Sequence, residues 1–326
     1  MVEDLENWEV PPEAQPSQQD YEFDLDRALA SVVALTARVP EDAYTAATLG
    51  TERAGNGVLV DDDGTILTIG YLVMEAEEIW LTTNDGRVVP GHVIGFDYVT
   101  GFGLVQALGP LGIEALPLGD SRPLRPGARV VVAGGGGRKH SLAAHVVARQ
   151  EFAGYWEYVL DNALFTVPAH PHWGGTAMIG SDGELLGIGS LQVPHQIRGN
   201  QTVPLNMMVP IELLTPIYED LKKLGRVNRP PRPWLGLYAA ESENGIVVVG
   251  FAGNGPARRA GLREGDTILA VAGRDVSSLA DFFRGVWALG AAGVDVPLTL
   301  DREGDVFNVQ IRSADRSLFT KTMRLH

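Results

Sequence analysis

The sequence has no cysteine, no long apolar run and fewer basic than acidic residues. Without cysteine the chain forms no disulfide, and it offers neither a thiolate metal ligand nor a cysteine nucleophile. Its apolar runs at residues 130–134 and 246–251 are far shorter than the roughly 20 residues that a membrane-spanning helix needs. We therefore expect no transmembrane segment.

The charge balance is strongly acidic. Among 326 residues, 26 Lys and Arg stand against 41 Asp and Glu, which leaves a net charge of −15. That sign repels phosphate backbones, so nucleic acid is excluded as a partner. The hydrophobic fraction of 45% excludes a wholly disordered chain, and the length predicts two or three domains at about 150 residues each.

Residues 1–26 carry nine acidic side chains, no basic one and three prolines. This composition predicts an acidic disordered tail, in which Trp8, Tyr21 and Phe23 are the large apolar side chains. The first residues lack the basic start and apolar stretch of a secretory signal, so the sequence predicts a cytoplasmic protein. A periplasmic location is the alternative if a signal segment was removed.

Short apolar segments between glycine- and proline-rich turns predict a mainly β protein. Asp62, Asp63 and Gly64 form a turn signal between two apolar strands. Helical spacing predicts helices over residues 25–36 and, despite Pro216, over residues 211–224. Further strands are predicted over residues 79–83, 88–96, 103–107, 129–133, 144–150, 163–167 and 185–190. Short strands at this spacing predict barrels or sandwiches.

Residues 227–233 contain three prolines and predict a stiff linker, after which we expect a separate domain over residues 234–326. The residues that follow resemble a PDZ domain of the bacterial HtrA type over residues 234–311. The motif residues that carry the likeness are Gly255, Pro256, Ala257, Ala260, Gly261, Leu262, Gly265, Asp266, Ile268 and Gly273.

The resemblance implies a peptide-binding loop of form aromatic, apolar, glycine, apolar at Trp234, Leu235, Gly236 and Leu237. In that family the backbone N–H groups of the loop hold the terminal carboxylate of a peptide that adds as a strand. Peptide or protein C-termini are therefore the expected partners. The alternative is that this loop only begins a strand. The apolar helix face that accompanies such a groove is expected at Leu279, Phe282, Phe283 and Val286.

Four stretches before the linker resemble a chymotrypsin-like double barrel, also of the HtrA type. They begin at Gly55, Gly95, Gly127 and Trp173 and cover most of residues 53–211. The fold class implied is mainly β: two six-stranded barrels followed by an α+β PDZ domain. We place the trypsin-like domain at residues 27–226, with the barrels meeting near residues 118–126.

The departures from the family fall at the catalytic positions. An ungapped match puts Tyr71 at the position of the catalytic histidine, Gly101 at that of the aspartate and Trp173 at that of the serine. Tyrosine has an ordinary pKa near 10 and does not replace imidazole as a base at neutral pH. One oxyanion-hole donor is also lost, because Pro171 has no N–H.

From these positions we predict a non-catalytic pseudoprotease that binds C-termini as a scaffold, chaperone or regulator, and no enzyme. The alternative is a serine endopeptidase with relocated catalytic residues. The hydroxyl and imidazole groups available to it are those of Thr176, Ser181, Ser190 and His195. Asp97 is interpreted as a turn residue.

No cofactor is expected. His170 and His172 alternate around a proline and, with Tyr71 near them, are weak candidates for a metal site, but two loop histidines without a metal are the preferred interpretation. The glycine run at residues 134–137 lacks the phosphate-loop pattern. The family resemblance further implies a partner of the same kind, either a trimer of this chain with Tyr21 and Phe23 at its contacts or an active HtrA relative.

Overall fold

The computed structural model describes residues 8–197, 201–243 and 245–321. The chain forms two compact units, each with its own sheets. Over the described residues, the first unit contains residues 8–150 and 162–227, and the second contains residues 151–161 and 228–321. Within the described residues, no helix is long and apolar enough to cross a membrane.

Six antiparallel strands close the first barrel in the order β1-β2-β3-β6-β5-β4. They are β1 (Val32–Arg38), β2 (Glu52–Asp61), β3 (Thr65–Ile69), β4 (Glu78–Thr82), β5 (Val88–Phe96) and β6 (Phe102–Ala107). Three short helices accompany them: α1 (Leu25–Ala30), α2 (Ala46–Leu49) and α3 (Gly70–Val73). The predicted turn of two aspartates and Gly64 joins β2 to β3, and Gly64 has a φ of +90°, which favours glycine.

The predicted helix over residues 25–36 is wrong in its second half. Helix α1 ends at Ala30, and residues from Val32 onward form β1. This strand pairs with β2 on one side and β4 on the other, so it closes the barrel. Two ladders of backbone hydrogen bonds outweigh a helical spacing of apolar residues in a segment that contains β-branched side chains.

Six further strands close the second barrel in the order β10-β11-β12-β9-β8-β7. They are β7 (Arg129–Ala133), β8 (Ser141–Gly154), β9 (Tyr158–Val167), β10 (Ala177–Ile179), β11 (Leu185–Gln196) and β12 (Thr202–Pro210). Together the two barrels confirm the predicted fold class. The sequence patterns did not predict β10, which has only three residues, or β12, because Pro204 and Pro210 argue against a strand in this segment.

The N-terminal segment differs from the predicted disordered tail where the structure describes it, over residues 8–26. Val10 is 1% exposed in the core of the second barrel, and its N–H donates to the Lys139 carbonyl at 2.7 Å. Glu9 pairs with the Lys139 ammonium at 2.8 Å. One buried valine and a backbone hydrogen bond anchor a segment whose acidic side chains stay in solvent. Residues 1–7, the rest of that prediction, lie outside the described residues.

The predicted helix over residues 211–224 is shortened at its proline. A 3₁₀ turn covers Ile211–Leu213, and α4 begins only at Tyr218 and ends at Leu224. Pro216 has no N–H to donate and disfavours helical backbone before it, so the helix starts after it. The predicted domain boundaries near residues 226 and 234 stay a prediction.

The second unit contains a six-stranded antiparallel sheet in which β13 is an edge strand. Its strands are β13 (Leu237–Ser242), β14 (Gly245–Phe251), β15 (Thr267–Val271), β16 (Arg274–Asp275), β17 (Asp295–Arg302) and β18 (Asp305–Arg312). Two helices pack with it, α5 (Pro256–Arg259) and α6 (Leu279–Trp287). The predicted apolar helix face lies on α6, where all four of its side chains are buried in one cluster.

The tip of the β8–β9 hairpin, residues 151–161, belongs to the second unit, although the remainder of both strands lies in the second barrel. Tyr155, Trp156 and Glu157 form its turn. We call residues 151–161 the hairpin tip. No feature of the sequence indicated that these residues separate from the rest of their strands.

Candidate functional site

The three predicted triad positions lie together in the first unit. Tyr71 is on α3, where its hydroxyl donates to the Ser190 carbonyl at 2.9 Å and its side chain hydrogen-bonds to Trp173. Gly101 accepts a hydrogen bond at 2.6 Å from the N–H of Gly70, the first residue of the same helix. The fold therefore places these three positions next to one another.

The chemistry of Tyr71 is that of a buried phenol. Burial raises the pKa of Tyr71 well above its ordinary value, and the hydrogen bond with Trp173 lowers that pKa only in part. The hydroxyl is thus protonated at neutral pH, and its proton points at a backbone carbonyl. In this arrangement Tyr71 donates to a carbonyl, and because a protonated phenol is a very weak base, it does not take a proton from a nucleophile at neutral pH.

Asp97 stabilises the turn before Gly101. Its Oδ2 accepts from the N–H and the hydroxyl of Thr100, both at 2.9 Å, and its carbonyl accepts from the Gly101 N–H at 2.8 Å. Gly101 has a φ of +86°. These contacts fit the turn role that the sequence suggested for Asp97.

Backbone hydrogen bonds hold the chain on the C-terminal side of Trp173. The Gly174 carbonyl accepts from the Asn56 N–H at 2.8 Å, and the Gly175 N–H donates to the Gly189 carbonyl at 2.8 Å. A Cβ on Gly175 would lie 1.8 Å from the Asn56 carbonyl oxygen, and Gly175 has a φ of +76°. The loop after Trp173 thus requires glycine. Pro171, two residues before Trp173, has no N–H to offer as an oxyanion donor.

The alternative hydroxyl groups make other contacts. The Thr176 side chain is fully buried, and its hydroxyl donates to the Trp173 carbonyl at 2.9 Å. The Ser181 hydroxyl is exposed and lies 3.2 Å from the carboxylate of its neighbour Asp182. The Ser190 carbonyl holds the Tyr71 hydroxyl, and His195 is exposed on β11. None of these contacts joins a hydroxyl to an imidazole.

His170 is a structural histidine. It is 1% exposed, its Nδ1 accepts from the His172 N–H at 3.1 Å, and its Nε2 lies 3.0 Å from the His140 carbonyl. This network assigns the proton to Nε2 and occupies the other nitrogen, so neither nitrogen is available to a metal ion. Burial lowers the pKa of His170 to about 4, and the indole of Trp8 packs 5.1 Å from the rings of both His170 and His172.

The described residues contain no group of three His, Asp or Glu side chains placed to hold a metal ion. The preferred interpretation of His170 and His172, two loop histidines without a metal, stays a prediction.

The predicted peptide-binding loop of the second unit holds a carboxylate from its own chain. The N–H groups of Leu235, Gly236 and Leu237 all donate to the carboxylate of Glu157, with the shortest distance, 2.7 Å, from Gly236. Gly236 has a φ of +70°, which lets successive N–H groups point to one side. Glu157 is 8% exposed.

Burial raises the pKa of Glu157 to about 7, and the N–H groups of Leu235 and Gly236 oppose that increase. Sequence reasoning found the loop but missed this partner. The only local signal was an acidic residue after two aromatic ones, Tyr155 and Trp156, at a hairpin turn.

Comparison with known families agrees with the two units. Residues 55–188 match the trypsin-like peptidase domain family, and residues 233–312 match the PDZ domain family. Among solved structures, an HtrA-type protease AlgW with a tripeptide is similar with a TM-score of 0.53 at 20% identity, covering 92% of this chain and 97% of the other. The serine endoprotease from Yersinia pestis is similar with a TM-score of 0.52 at 25% identity, covering 94% and 99%.

Curated relatives cover most of the chain. A probable periplasmic serine endoprotease DegP-like of Halomonas elongata is 27% identical over 80% of this chain and 56% of its own length. The serine endoprotease DegS of Salmonella typhimurium is 26% identical over 79% of this chain and 75% of its own length. The chain spans about half the length of the DegP-like relatives it matches.

The names of these relatives correct the prediction that the chain is not an enzyme, and they favour the periplasmic alternative over a cytoplasmic location. From positions 71, 101 and 173 we predicted that the chain is not an enzyme, but its relatives are named serine endoproteases, which contradicts that prediction. The prediction took the loss of three side chains as the loss of activity, although other hydroxyl groups remain in the domain. The cytoplasmic location also receives no support, because the DegP-like relatives are named periplasmic.

The order of the domains, the double barrel and the relatives agree with one another. This chain contains a trypsin-like peptidase domain followed by a PDZ domain, and it is similar to DegP-like and HtrA-type serine proteases.

Proposed function

We propose that the PDZ domain of this HtrA-type protein binds the free C-termini of peptides or proteins at the N–H groups of Leu235, Gly236 and Leu237. One observation carries this proposal: those three N–H groups converge on a carboxylate. A terminal carboxylate has the same shape and charge, and charge-assisted hydrogen bonds to it are about twice as strong as neutral ones. The loop therefore has the donors that C-terminal recognition needs.

The surroundings of the loop suit a peptide in extended conformation. Strand β13 is an edge strand, so its outer side is the place where a peptide adds to the sheet. Leu279, Phe282 and Phe283 of α6 belong to the same buried apolar cluster as Leu235 and Leu237. Main-chain contacts supply most of the binding, so we expect a Kd on the order of micromolar, or about −8 kcal/mol.

Binding to peptide libraries with free C-termini tests the proposal. The full chain should recover binders whose affinity falls at least about tenfold when the terminal carboxylate is replaced by an amide, because the amide removes the charge from the hydrogen bonds. Fluorescence anisotropy of matched acid and amide peptides measures the difference. Equal affinity for the two forms would show that the N–H groups of the loop do not bind the terminal carboxylate.

A second candidate is a serine endopeptidase with relocated catalytic residues, because the relatives are named serine endoproteases. We further propose that Tyr71, Gly101 and Trp173 occupy the family's triad positions and that Pro171 occupies an oxyanion position, so this candidate needs another nucleophile. Casein turnover and fluorophosphonate labelling test it. Labelling that is lost in Thr176→Ala or Ser181→Ala would identify the nucleophile. Unlabelled protein without turnover would reject this candidate and leave C-terminal binding untouched.

Two finer statements accompany the proposal. We propose a periplasmic location, which the names of the DegP-like relatives support. Self-association as a trimer through Tyr21 and Phe23, or association with an active HtrA relative, stays a prediction. The rings of Tyr21 and Phe23 contact each other at 5.3 Å. Light scattering on the full chain measures its oligomeric state.

A further inference from the structure

The hairpin tip contacts the PDZ domain in the way that a bound peptide would. The Glu157 carboxylate accepts from all three N–H groups of the binding loop. Two residues before it, the Tyr155 carbonyl accepts from the Ala239 N–H of β13 at 3.0 Å. An acidic group in the carboxylate loop and a backbone hydrogen bond to the edge strand are the two contacts by which a C-terminus adds to such a sheet.

Side chains of the hairpin tip reinforce these backbone contacts. The ring of Tyr155 lies edge-on to Tyr238 of β13 with 5.4 Å between centroids. Val159 is 8% exposed and belongs to the apolar cluster that contains Leu235 and Leu237 of the loop. The hairpin tip thus occupies apolar surface as well as hydrogen-bonding groups.

A charged clamp holds both sides of the hairpin tip. Arg284, on α6, pairs with Glu151 at the start of the tip and with Asp161 at its end. Both pairs are partly exposed, and exposed ion pairs contribute little stability each. They fix the orientation of the tip relative to α6 without making its release costly.

Glu157 also has a strained backbone. Its φ is +62°, in the left-handed region that residues with a side chain seldom adopt. Such strain persists where surrounding contacts compensate for it, and it is common at sites that change conformation. Release of the carboxylate from the loop would let this residue relax.

We infer that the hairpin tip is an internal ligand of the PDZ domain, which an external C-terminus must displace before it binds. The inference rests on the proposed function of the loop. Three N–H groups hold one carboxylate at a time, because two carboxylates at one site repel each other. The apparent Kd of an external peptide is therefore its intrinsic Kd divided by the fraction of molecules in which the tip is released.

A free-acid peptide tests the inference on the full chain. The probe is a fluorescein-labelled peptide of sequence AGYWV, which copies residues 153–156 and ends in an apolar residue with a free carboxylate. Glu157→Ala should lower its Kd by about tenfold or more, as expected when a released fraction of about a tenth or less becomes dominant. Arg284→Ala should lower it by a smaller factor. The matched control is Glu264→Ala, which removes the same charge from an exposed position of the same unit and should leave the Kd unchanged.

Hydrogen exchange distinguishes release of the tip from loss of fold. In Glu157→Ala the amides of Leu235, Gly236 and Leu237 should exchange faster, whereas those of β17 and β18 should keep their protection. If the amides of β17 and β18 also exchange faster, the domain has been destabilised. In that event the Kd of the acid probe and the hydrogen exchange of Arg284→Ala test whether the hairpin tip is an internal ligand.

The outcomes separate the inference from the proposal beneath it. Equal Kd values for the acid probe in the wild type and in Glu157→Ala overturn the inference that the hairpin tip is an internal ligand. The proposal that the PDZ domain binds C-termini is then unaffected. Weaker binding by Glu157→Ala, with β17 and β18 still protected, overturns the inference as well. No binding of the acid probe by the wild type or either variant overturns the proposed function and the inference together.

Discussion

The trypsin-like site and the PDZ loop depend on different chemical groups: side chains in the first and backbone N–H groups in the second. The first depends on side chains: Tyr71 hydrogen-bonds to Trp173 at the two positions where we predict the family's base and nucleophile, and the backbone beside them requires glycine at position 175. The second depends on backbone N–H groups, which any sequence provides once Gly236 sets the turn. A site made of main-chain donors therefore tolerates side-chain substitutions that would alter a site made of side chains.

The largest effect is expected for Gly175→Ala, which tests whether the backbone beside Trp173 requires glycine at position 175. Its Cβ would lie 1.8 Å from the Asn56 carbonyl oxygen, at a φ of +76°. We expect a loss of about 4 kcal/mol of unfolding free energy, or failure to fold. The midpoint of urea unfolding measures it.

Gly127→Ala is the matched control for Gly175→Ala. Gly127 has a φ of +93°, and nothing lies within 4 Å of its added Cβ, so only backbone strain remains. That strain costs about 1–2 kcal/mol. Equal losses in the two variants would mean that the contact with Asn56 does not constrain the loop.

The next effect concerns the protonation of Glu157. Its pKa is raised from 4.5 to about 7, so the folded state holds this proton more tightly than the unfolded state. The resulting stability is fully present below pH 4.5 and is lost as the pH rises through 7. The free energy of unfolding falls by about 3 kcal/mol in total, because each unit of pKa difference corresponds to about 1.4 kcal/mol.

Urea unfolding of the wild type and Glu157→Gln between pH 4.5 and 8 measures this effect. The variant keeps the length of the side chain but has no proton to lose, so the wild type should lose stability relative to it as the pH rises. Arg316 lowers the pKa of Glu157, and the pairs of Arg284 with Glu151 and Asp161 remain in both proteins. A difference that is constant with pH would contradict the prediction.

A smaller effect is expected for Gly236→Ala, which tests the backbone basis of the PDZ loop. The added Cβ would lie 2.9 Å from the Trp234 ring and 3.1 Å from the Gly255 Cα, at a φ of +70°. The three N–H groups then no longer converge. When Gly236→Ala is made in Glu157→Ala, where the hairpin tip no longer competes for the loop, affinity for free-acid peptides should fall about tenfold, or about 1.4 kcal/mol. Gly273→Ala, at a φ of +75° with open space around its Cβ, should leave affinity unchanged.

The smallest effect is expected for Tyr71→Phe. The variant removes the hydrogen bond to the Ser190 carbonyl, which should cost about 1 kcal/mol of unfolding free energy. Peptide affinity of the PDZ domain should not change. A stability equal to that of the wild type would show that the Tyr71 hydroxyl is not needed to satisfy that carbonyl.

Local patterns predicted much of the fold because its turns and its apolar faces are local. The turn at Gly64 and the α6 face at Phe282 and Phe283 were found from spacing alone. The helix over residues 25–36 was extended too far, because pairing of β1 with β4 is a contact between distant segments. The anchoring of Val10 escaped prediction for the same reason, since its partner is Lys139.

By itself the sequence determined which chemical groups stand at the two sites. It established that residues 71, 101 and 173 are Tyr, Gly and Trp, and that the PDZ loop has glycine at 236. Only the tertiary structure decided what fills that loop. Glu157 lies 78 to 80 residues before its N–H partners, and no local rule relates a hairpin turn to a loop so far along the chain. Local patterns follow from steric and hydrogen-bonding preferences of neighbouring residues, whereas the meeting of Glu157 and Gly236 follows from how the whole chain packs.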